Sequence, residues 1–192
     1  MIVLASKSAS RRTMLAAAGV EFEVRPAAVD ERALEAEMGG ATPDRVALAL
    51  AEAKALSVDG EGRAVLGSDS VVTVEGRRFS KPASRADAAA HLRLFSGRTM
   101  LLHSAAALAL NGIVKWRHVA LASLQVRELS EDFIEAYLAA EWPEVSQCVG
   151  VFRIEGLGVQ LFEAIDGDMF TVLGMPLLPV LGALRELEEL PV

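Results

Sequence analysis

The sequence contains one cysteine, Cys148, in 192 residues, so it has neither a disulfide framework nor a cysteine-built zinc site. That scarcity fits a reducing compartment, and a cytoplasmic location is the expectation. The three histidines, His91, His103 and His118, are scattered and show no metal-ligand spacing. No apolar run approaches the ~20 residues that span a bilayer. The opening residues lack the charged segment followed by an apolar one that marks a secretory signal, so no membrane association is expected. Positive charge is also in deficit: 19 Lys and Arg face 26 Asp and Glu, a net charge of −7, which argues against a nucleic-acid partner. What is present is a 52% hydrophobic chain with 23% charged residues, enough to bury a substantial core. With no internal repeat and no linker, residues 1–192 read as a single domain, with room for one small lobe.

Against this acidic background, cations gather at one place near the start. Met1–Ala5 is a short apolar run that reads as a buried strand. It gives way to Ser6-Lys7-Ser8-Ala9-Ser10-Arg11-Arg12, where a helical pattern begins with Met14, Leu15 and Ala18 on one face. A helix N-terminus has unpaired N–H groups and partial positive charge, so such a turn can hold an anion. The serines add donors without bulk, and Lys7, Arg11 and Arg12 add full charges. The stretch taken alone is more simply described as a capped surface helix.

Further along, Phe22–Arg25 predicts a strand, Arg32–Met38 a short helix, and Thr42-Pro43-Asp44 the start of a helix reaching about Ser57. That helix is expected to turn Val46, Leu50, Ala53 and Leu56 or its neighbours inward. Ala64–Val74 is the strongest strand signal, interrupted by Gly67-Ser68-Asp69-Ser70. Polar residues inside so apolar a run conflict with a plain buried strand, and such conflicts concentrate at functional sites. A helix capped by Ser84 stops at Ser96-Gly97, and Thr99–Leu110 and Val114–Val126 form two long strands joined at Asn111-Gly112, a strong hairpin signal. Ser130 starts another helix, Val159–Ile165 is the best late strand, and a final helix follows Pro176. Helices combined with both crossover and hairpin connections give an α/β fold with a mixed sheet.

Asp69 is the foremost candidate for chemistry. A carboxylate flanked by Val65, Leu66, Val71 and Val72 needs a cation, a metal or hydrogen bonds. It could ligate Mg²⁺ or act as a general base toward water, or it could form an Asx turn that breaks the strand. Asp30 and Glu31 in a polar loop suit a hard cation, although on their own a solvated loop explains them more simply. Lys54 reads most simply as a surface lysine near a helix C-terminus, and Lys81-Pro82 as a turn. Glu155, within Arg153-Ile154-Glu155-Gly156, is a carboxylate beside a glycine that permits close approach. Together these residues are the inventory for positioning a metal-bound polyphosphate and delivering water to phosphorus.

Several short motifs in order resemble the Maf-type nucleoside triphosphate pyrophosphatases. Leu4-Ala5-Ser6 through Leu15 stands in the frame of the family's L-A-S-x-S-P-R-R-x-x-L-L, and Val29-Asp30-Glu31 matches its V-D-E. Ala51 to Ala55 matches A-x-x-K-A, Gly67 to Val71 matches G-[AS]-D-[TQ]-V, and Lys81-Pro82 matches K-P. Leu92 to Gly97, Glu155-Gly156 and Gly174-Met175-Pro176-Leu177 match three more, so the resemblance covers nearly the whole chain.

The resemblance implies an elongated mixed β-sheet flanked by helices, with a central cleft of the Maf/ITPase type, and a homodimer. It implies hydrolysis of a nucleoside triphosphate to the monophosphate and pyrophosphate with a divalent cation, Mg²⁺, Mn²⁺ or Co²⁺, which keeps non-standard nucleotides out of nucleic acid. In that scheme Asp69 activates water and Lys81 joins it in catalysis. Ser6, Ser8, Arg11 and Lys54 hold the triphosphate, and Glu31 and Asp69 hold the metal. Three further positions, Ser10, Ser70 and Glu155, surround the base. The branch acting on thymidine and uridine triphosphates typically has Arg, Thr and Gln there, and the branch acting on 7-methyl-GTP has Trp, Gln and Glu. Only Glu155 matches, and it matches the second branch. A carboxylate suits the adjacent N–H donors of guanine and the positive charge of a 7-methylated ring, so the lean is toward 7-methyl-GTP or another purine. Ser10 removes the aromatic that would stack on that ring. A rival from another class is a nucleotide-sensing protein that inhibits septum formation and arrests cell division without hydrolysis. Retention of Asp69 favours the enzyme, since a sensor needs no water-activating base.

Overall fold

The computed structural model describes residues 1–191 and has an α/β architecture. Its opening follows from the apolar run at the start: β1 (Ile2–Leu4) is wholly buried and leads through Ala5–Ser8 into α1 (Ala9–Ala17). Gly19, at φ +72°, ends that helix in the left-handed conformation that glycine adopts most cheaply. There follow β2 (Phe22–Val24), α2 (Glu31–Glu37) and α3 (Pro43–Leu56), then β3 (Val65–Val74) and β4 (Arg77–Phe79). Ser84 caps α4 (Arg85–Phe95) by accepting the Asp87 N–H, and β5 (Thr99–Leu110) and β6 (Ile113–Val126) form the expected hairpin. Its turn residues Asn111 and Gly112 both have positive φ, 52° and 74°, as a two-residue turn between twisted strands requires. The chain closes with α5 (Glu131–Glu141), β7 (Phe162–Asp166), α6 (Met169–Val172) and α7 (Leu177–Glu186).

The seven strands form one mixed sheet in the order β2-β1-β3-β5-β6-β7, with β4 beside β3. β1 runs parallel to β2 and to β3, while β4 is antiparallel to β3 and β7 antiparallel to β6. The chain divides into two compact units. The first comprises Met1–Ser70, His103–Ala120 and the residues from Asp168 on; the second comprises Val71–Leu102 and Leu121–Gly167. In the first unit, Ile2, Leu4, Met14, Leu15, Leu66 and Leu108 pack with Met175, Leu177, Val180 and Leu184 of the last helix and its approach. Each such aliphatic side chain contributes about 1.5–3 kcal/mol on burial, so α1 and α7 are held by side chains rather than by helix propensity. In the second unit, Phe79, His91 and Phe95 form an edge-on aromatic group between β4 and α4. Ion pairs Arg93–Glu131 and Arg85–Glu135 link α4 to α5 on the surface.

Three details differ from expectation. The Gly67–Ser70 tetrad does not interrupt β3, which continues through it as regular strand, so Asp69 is not an Asx-turn residue. In α3 the buried face is Val46, Ala47, Leu50, Ala51, Lys54 and Ala55, while Ala53 is only partly covered and Leu56 is exposed. The cause is Gly67: a Cβ there would lie 2.1 Å from the Ala51 carbonyl oxygen and 2.5 Å from the Ala55 nitrogen. The strand backbone therefore touches the helix backbone directly, and small alanines must face it. Third, Leu157–Leu161 forms a 3₁₀ turn, so the late strand starts at Phe162 rather than Val159.

Gly67→Ala tests this contact. Neither backbone can yield locally, so the variant is expected to lose about 3 kcal/mol or more of stability by urea titration. It should also lose activity disproportionately, because α3 carries Lys54 one residue away from the clash.

Candidate active site

The first unit gathers most of the predicted residues: Ser6, Ser8, Ser10, Arg11, Glu31, Lys54, Asp69 and Ser70. At the start of α1, Ser8 is the N-cap, its Oγ accepting the Arg11 N–H at 3.4 Å. Ser6 Oγ accepts twice, from the Ser8 N–H at 3.2 Å and from Arg11 Nη1 at 3.3 Å. Both its lone pairs are then used, and its own O–H remains as a donor. The unpaired N–H groups of the first turn add to it, so this turn is a set of hydrogen-bond donors suited to phosphate oxygens. Ser10 sits half-exposed in the first turn of α1. Lys7 and Arg12 are exposed and unlike Arg11.

Arg11 is buried, and its guanidinium is almost fully committed. Nε donates to the Gly174 carbonyl at 3.0 Å, and Nη1 to the Ser68 carbonyl at 2.9 Å and to Ser6 Oγ. Nη2 donates to Ser70 Oγ at 3.3 Å. Four of the five N–H donors an arginine carries are thereby used. Burial pulls its pKa below the ordinary arginine range, against the opposing pull of the Asp69 and Glu31 carboxylates. An arginine so far above neutral pH stays charged regardless.

Beside it lies the charged centre. Lys54 Nζ reaches Asp69 Oδ1 at 2.5 Å and Glu31 Oε1 at 2.7 Å. Lys54 is therefore buried, not the surface lysine its helix position indicates, because two carboxylates compensate its desolvation. Glu31 starts α2, whose N-cap Asp30 accepts the Ala33 N–H at 3.0 Å; Asp30 is a cap, and Glu31 faces the site. Asp69 is buried, yet its Oδ2 takes no hydrogen bond from the described residues and is not sealed from solvent. One oxygen is thus fixed by an ammonium and the other is free to accept a proton.

Sequence reading missed the support beneath this centre. Ser68 is wholly buried and donates to the Ala105 carbonyl at 2.8 Å; Ser104, also buried, donates to the Thr171 carbonyl at 2.8 Å. Gly174 has φ +101°, and a Cβ there would sit 3.2 Å from Ser70 Oγ, so only glycine lets this carbonyl reach Arg11. The signals were available in part: Ser68 belongs to the polar tetrad, and Gly174 precedes Met175-Pro176.

Lys81 and Glu155 belong to the second unit. Lys81 is exposed beside the buried Pro82. Glu155 is exposed on the Arg153–Gly158 loop, which is held where Gly158 packs against the Arg153 backbone and where Gly156 lies beside the Arg153–Glu141 ion pair (3.7 Å). Cys148 is half-buried there, its thiol pushed up by burial first and then by the nearby Glu155, with Arg153 and Lys81 opposing. Burial, and secondarily Glu141, also raises the pKa of Tyr137, whose hydroxyl donates to the Val151 carbonyl at 3.0 Å.

No group of three or more His, Cys, Asp or Glu side chains able to hold a metal occurs among the described residues. Two carboxylates do converge on one cationic position, that of Lys54 Nζ. Mg²⁺ needs no more than one or two protein carboxylates when phosphate and water complete its shell, so the donor set fits such an ion. No helix among the described residues is long and apolar enough to cross a membrane.

A donor-rich helix start and a buried ammonium shared by two carboxylates all belong to the first unit of this α/β scaffold. The chain matches the Maf-like protein family over residues 1–187, and it belongs to that family. It is 47% identical over 186 residues to the nucleoside triphosphate pyrophosphatase of Nitrobacter winogradskyi, covering 96% of this chain and 92% of the relative. It is 49% identical over 190 residues to the 7-methyl-GTP pyrophosphatase of Rhizobium etli, covering 97% and 96% respectively. Among solved structures, a HAM1 protein from Coxiella burnetii aligns with 65% of this chain and 71% of its own at TM-score 0.40 and 20% identity.

Proposed function

We propose that this protein is a nucleoside triphosphate pyrophosphatase that releases pyrophosphate and a nucleoside monophosphate. The observation that carries the reading is the Asp69 carboxylate, with Oδ1 held by Lys54 at 2.5 Å and Oδ2 unclaimed, next to the donor-rich start of α1. Family membership and the printed activities of relatives at 47% and 49% identity support it.

In the reaction, Asp69 Oδ2 takes a proton from water as the water oxygen bonds to the α-phosphorus. The bond from that phosphorus to the oxygen bridging to the β-phosphorus breaks, and pyrophosphate departs. The Ser6 and Ser8 hydroxyls and the first N–H groups of α1 hold non-bridging phosphate oxygens, and Lys54 lends its charge to the same region. Arg11 contributes a fixed positive charge behind the turn and one remaining N–H on Nη2. A divalent cation, Mg²⁺, Mn²⁺ or Co²⁺, is the cofactor that Glu31 and Asp69 would hold; when bound it neutralises phosphate charge and polarises the P–O bonds. For Lys81 we propose a catalytic role, as the family resemblance implies, and for the whole protein a homodimer.

Base preference is assigned to a purine, with 7-methyl-GTP first. Glu155 offers an exposed carboxylate that can accept from the N–H edge of guanine, and one of the two relatives is named for 7-methyl-GTP. The small Ser10 adds space in place of a stacking ring. The test is pyrophosphate release from 7-methyl-GTP, GTP, UTP, dTTP and CTP, each with Mg²⁺, Mn²⁺ and Co²⁺. The expected result is release from purine triphosphates with 7-methyl-GTP favoured, and none after chelation. Release of orthophosphate instead, or turnover undiminished by chelator, overturns the assignment.

A further inference from the structure

Position 70 is one of three that the family resemblance places around the base, yet the geometry turns its side chain elsewhere. Ser70 Oγ lies 2.9 Å from Ser104 Oγ, 3.1 Å from the Gly174 carbonyl and 3.3 Å from Arg11 Nη2. A serine hydroxyl carries one proton and two acceptor sites. Ser104 gives its own proton to the Thr171 carbonyl at 2.8 Å. With Ser104 donating to Thr171, both Ser104 Oγ and the Gly174 carbonyl lie within reach of the Ser70 proton, and the Arg11 N–H occupies one of its acceptor sites. Little hydrogen-bonding capacity is left for a base.

From this commitment we infer that Ser70 is a positioning residue: it acts through Arg11 on the phosphate-binding turn, and it does not select the base. The inference rests on the proposed triphosphate chemistry for its purpose. The path is short and continuous. Ser70 and the Gly174 carbonyl fix the two sides of the Arg11 guanidinium, with contacts at Nη2 and Nε. Nη1 of the same group reaches Ser6 Oγ and the Ser68 carbonyl next to Asp69. The Nη1 contact fills one lone pair of Ser6 and so restricts how its own O–H can turn. A change at Ser70 is thus felt by the phosphate donors, whichever base is attached. Base discrimination then rests on Ser10 and Glu155, and a serine suffices at position 70 because its task is internal.

The experiment compares Ser70→Ala and Ser70→Thr with the wild type, using inorganic tripolyphosphate as a ligand without a base alongside the five triphosphates. Calorimetry with tripolyphosphate should show binding weakened about fivefold in Ser70→Ala, the loss expected for one hydrogen bond. KM for every triphosphate should rise by that same factor, leaving the ratios of kcat/KM between bases unchanged. Ser70→Thr keeps the hydroxyl and, with its folding checked beside Ser70→Ala in a melting scan, should restore both tripolyphosphate affinity and wild-type base ratios. Base ratios that shift by more than about fivefold in either variant, with tripolyphosphate binding intact, overturn the inference and make Ser70 a base contact. So does a Ser70→Ala enzyme unchanged in every measurement. If the wild type releases pyrophosphate from no triphosphate, the proposed function falls, and the calorimetry alone decides the role of Ser70. Wild-type protein that does not bind tripolyphosphate overturns the positioning role as well.

Discussion

Asp69→Asn should lower kcat by about three orders of magnitude while KM stays within a few-fold, as expected for loss of a general base in a retained binding site. Asparagine keeps the shape of the side chain, and its Oδ1 can still accept from Lys54 Nζ, which also keeps Glu31 at 2.7 Å. What disappears is the proton acceptor at the second oxygen, the one that takes no hydrogen bond from the described residues. Water then loses the base at that oxygen, and the amide cannot take the proton in its place. Single-turnover measurement of pyrophosphate release at saturating nucleotide reads this step directly. A variant within about threefold of wild type would remove Asp69 from the chemistry, since even a weak general base contributes about a hundredfold.

Arg11→Ala should be the most destabilising change in the first unit, at about 3–5 kcal/mol by urea unfolding. The Ser68 carbonyl loses its Nη1 partner, the Gly174 carbonyl loses Nε, and Ser6 and Ser70 each lose a donor. A buried cation beside Asp69 and Glu31 is removed at the same time, leaving Lys54 to compensate both carboxylates. Arg11→Lys separates the charge from the geometry. An ammonium keeps the positive charge but cannot match a planar fork whose contacts run to Ser6, Ser68, Ser70 and Gly174. Lysine should therefore recover less than half of the lost stability. Recovery to wild-type stability would show that charge, not the hydrogen-bond fork, holds the turn.

The elements carrying these residues were legible for physical reasons. Local signals such as the hydroxyl caps at Ser8, Ser84 and Ser130, the Asn111-Gly112 turn and the apolar run at β1 act over a few residues and appear directly in the sequence. The boundaries of β5 coincide with the expected Thr99–Leu110. Long-range pairings did not show in this way. Lys54 looks like a surface residue because only the folded chain brings Glu31 and Asp69 to it from positions 23 residues before and 15 after. The rotation of α3 depends on a single glycine in another element, and the last strand starts late because Leu157–Leu161 first makes a 3₁₀ turn. The site itself was half legible. Its charged members were named one by one, whereas Ser68, Ser104, Thr171 and Gly174 carry no charge and acquire meaning only through hydrogen bonds that link them to Arg11, to Ser70 and to one another. Three members of the polar tetrad, Ser68, Asp69 and Ser70, take part in this hydrogen-bond network, and the fourth, Gly67, sets the distance to α3.

Hydrolysis at the α-phosphorus, driven by a water that Asp69 deprotonates, is the central claim, and turnover in oxygen-18 water followed by mass spectrometry of the products tests it most directly. The predicted result is one labelled oxygen in the nucleoside monophosphate and none in pyrophosphate. Label in pyrophosphate would place the attack on the β-phosphorus and contradict the assignment of the α1 turn and Asp69 to the α-phosphate.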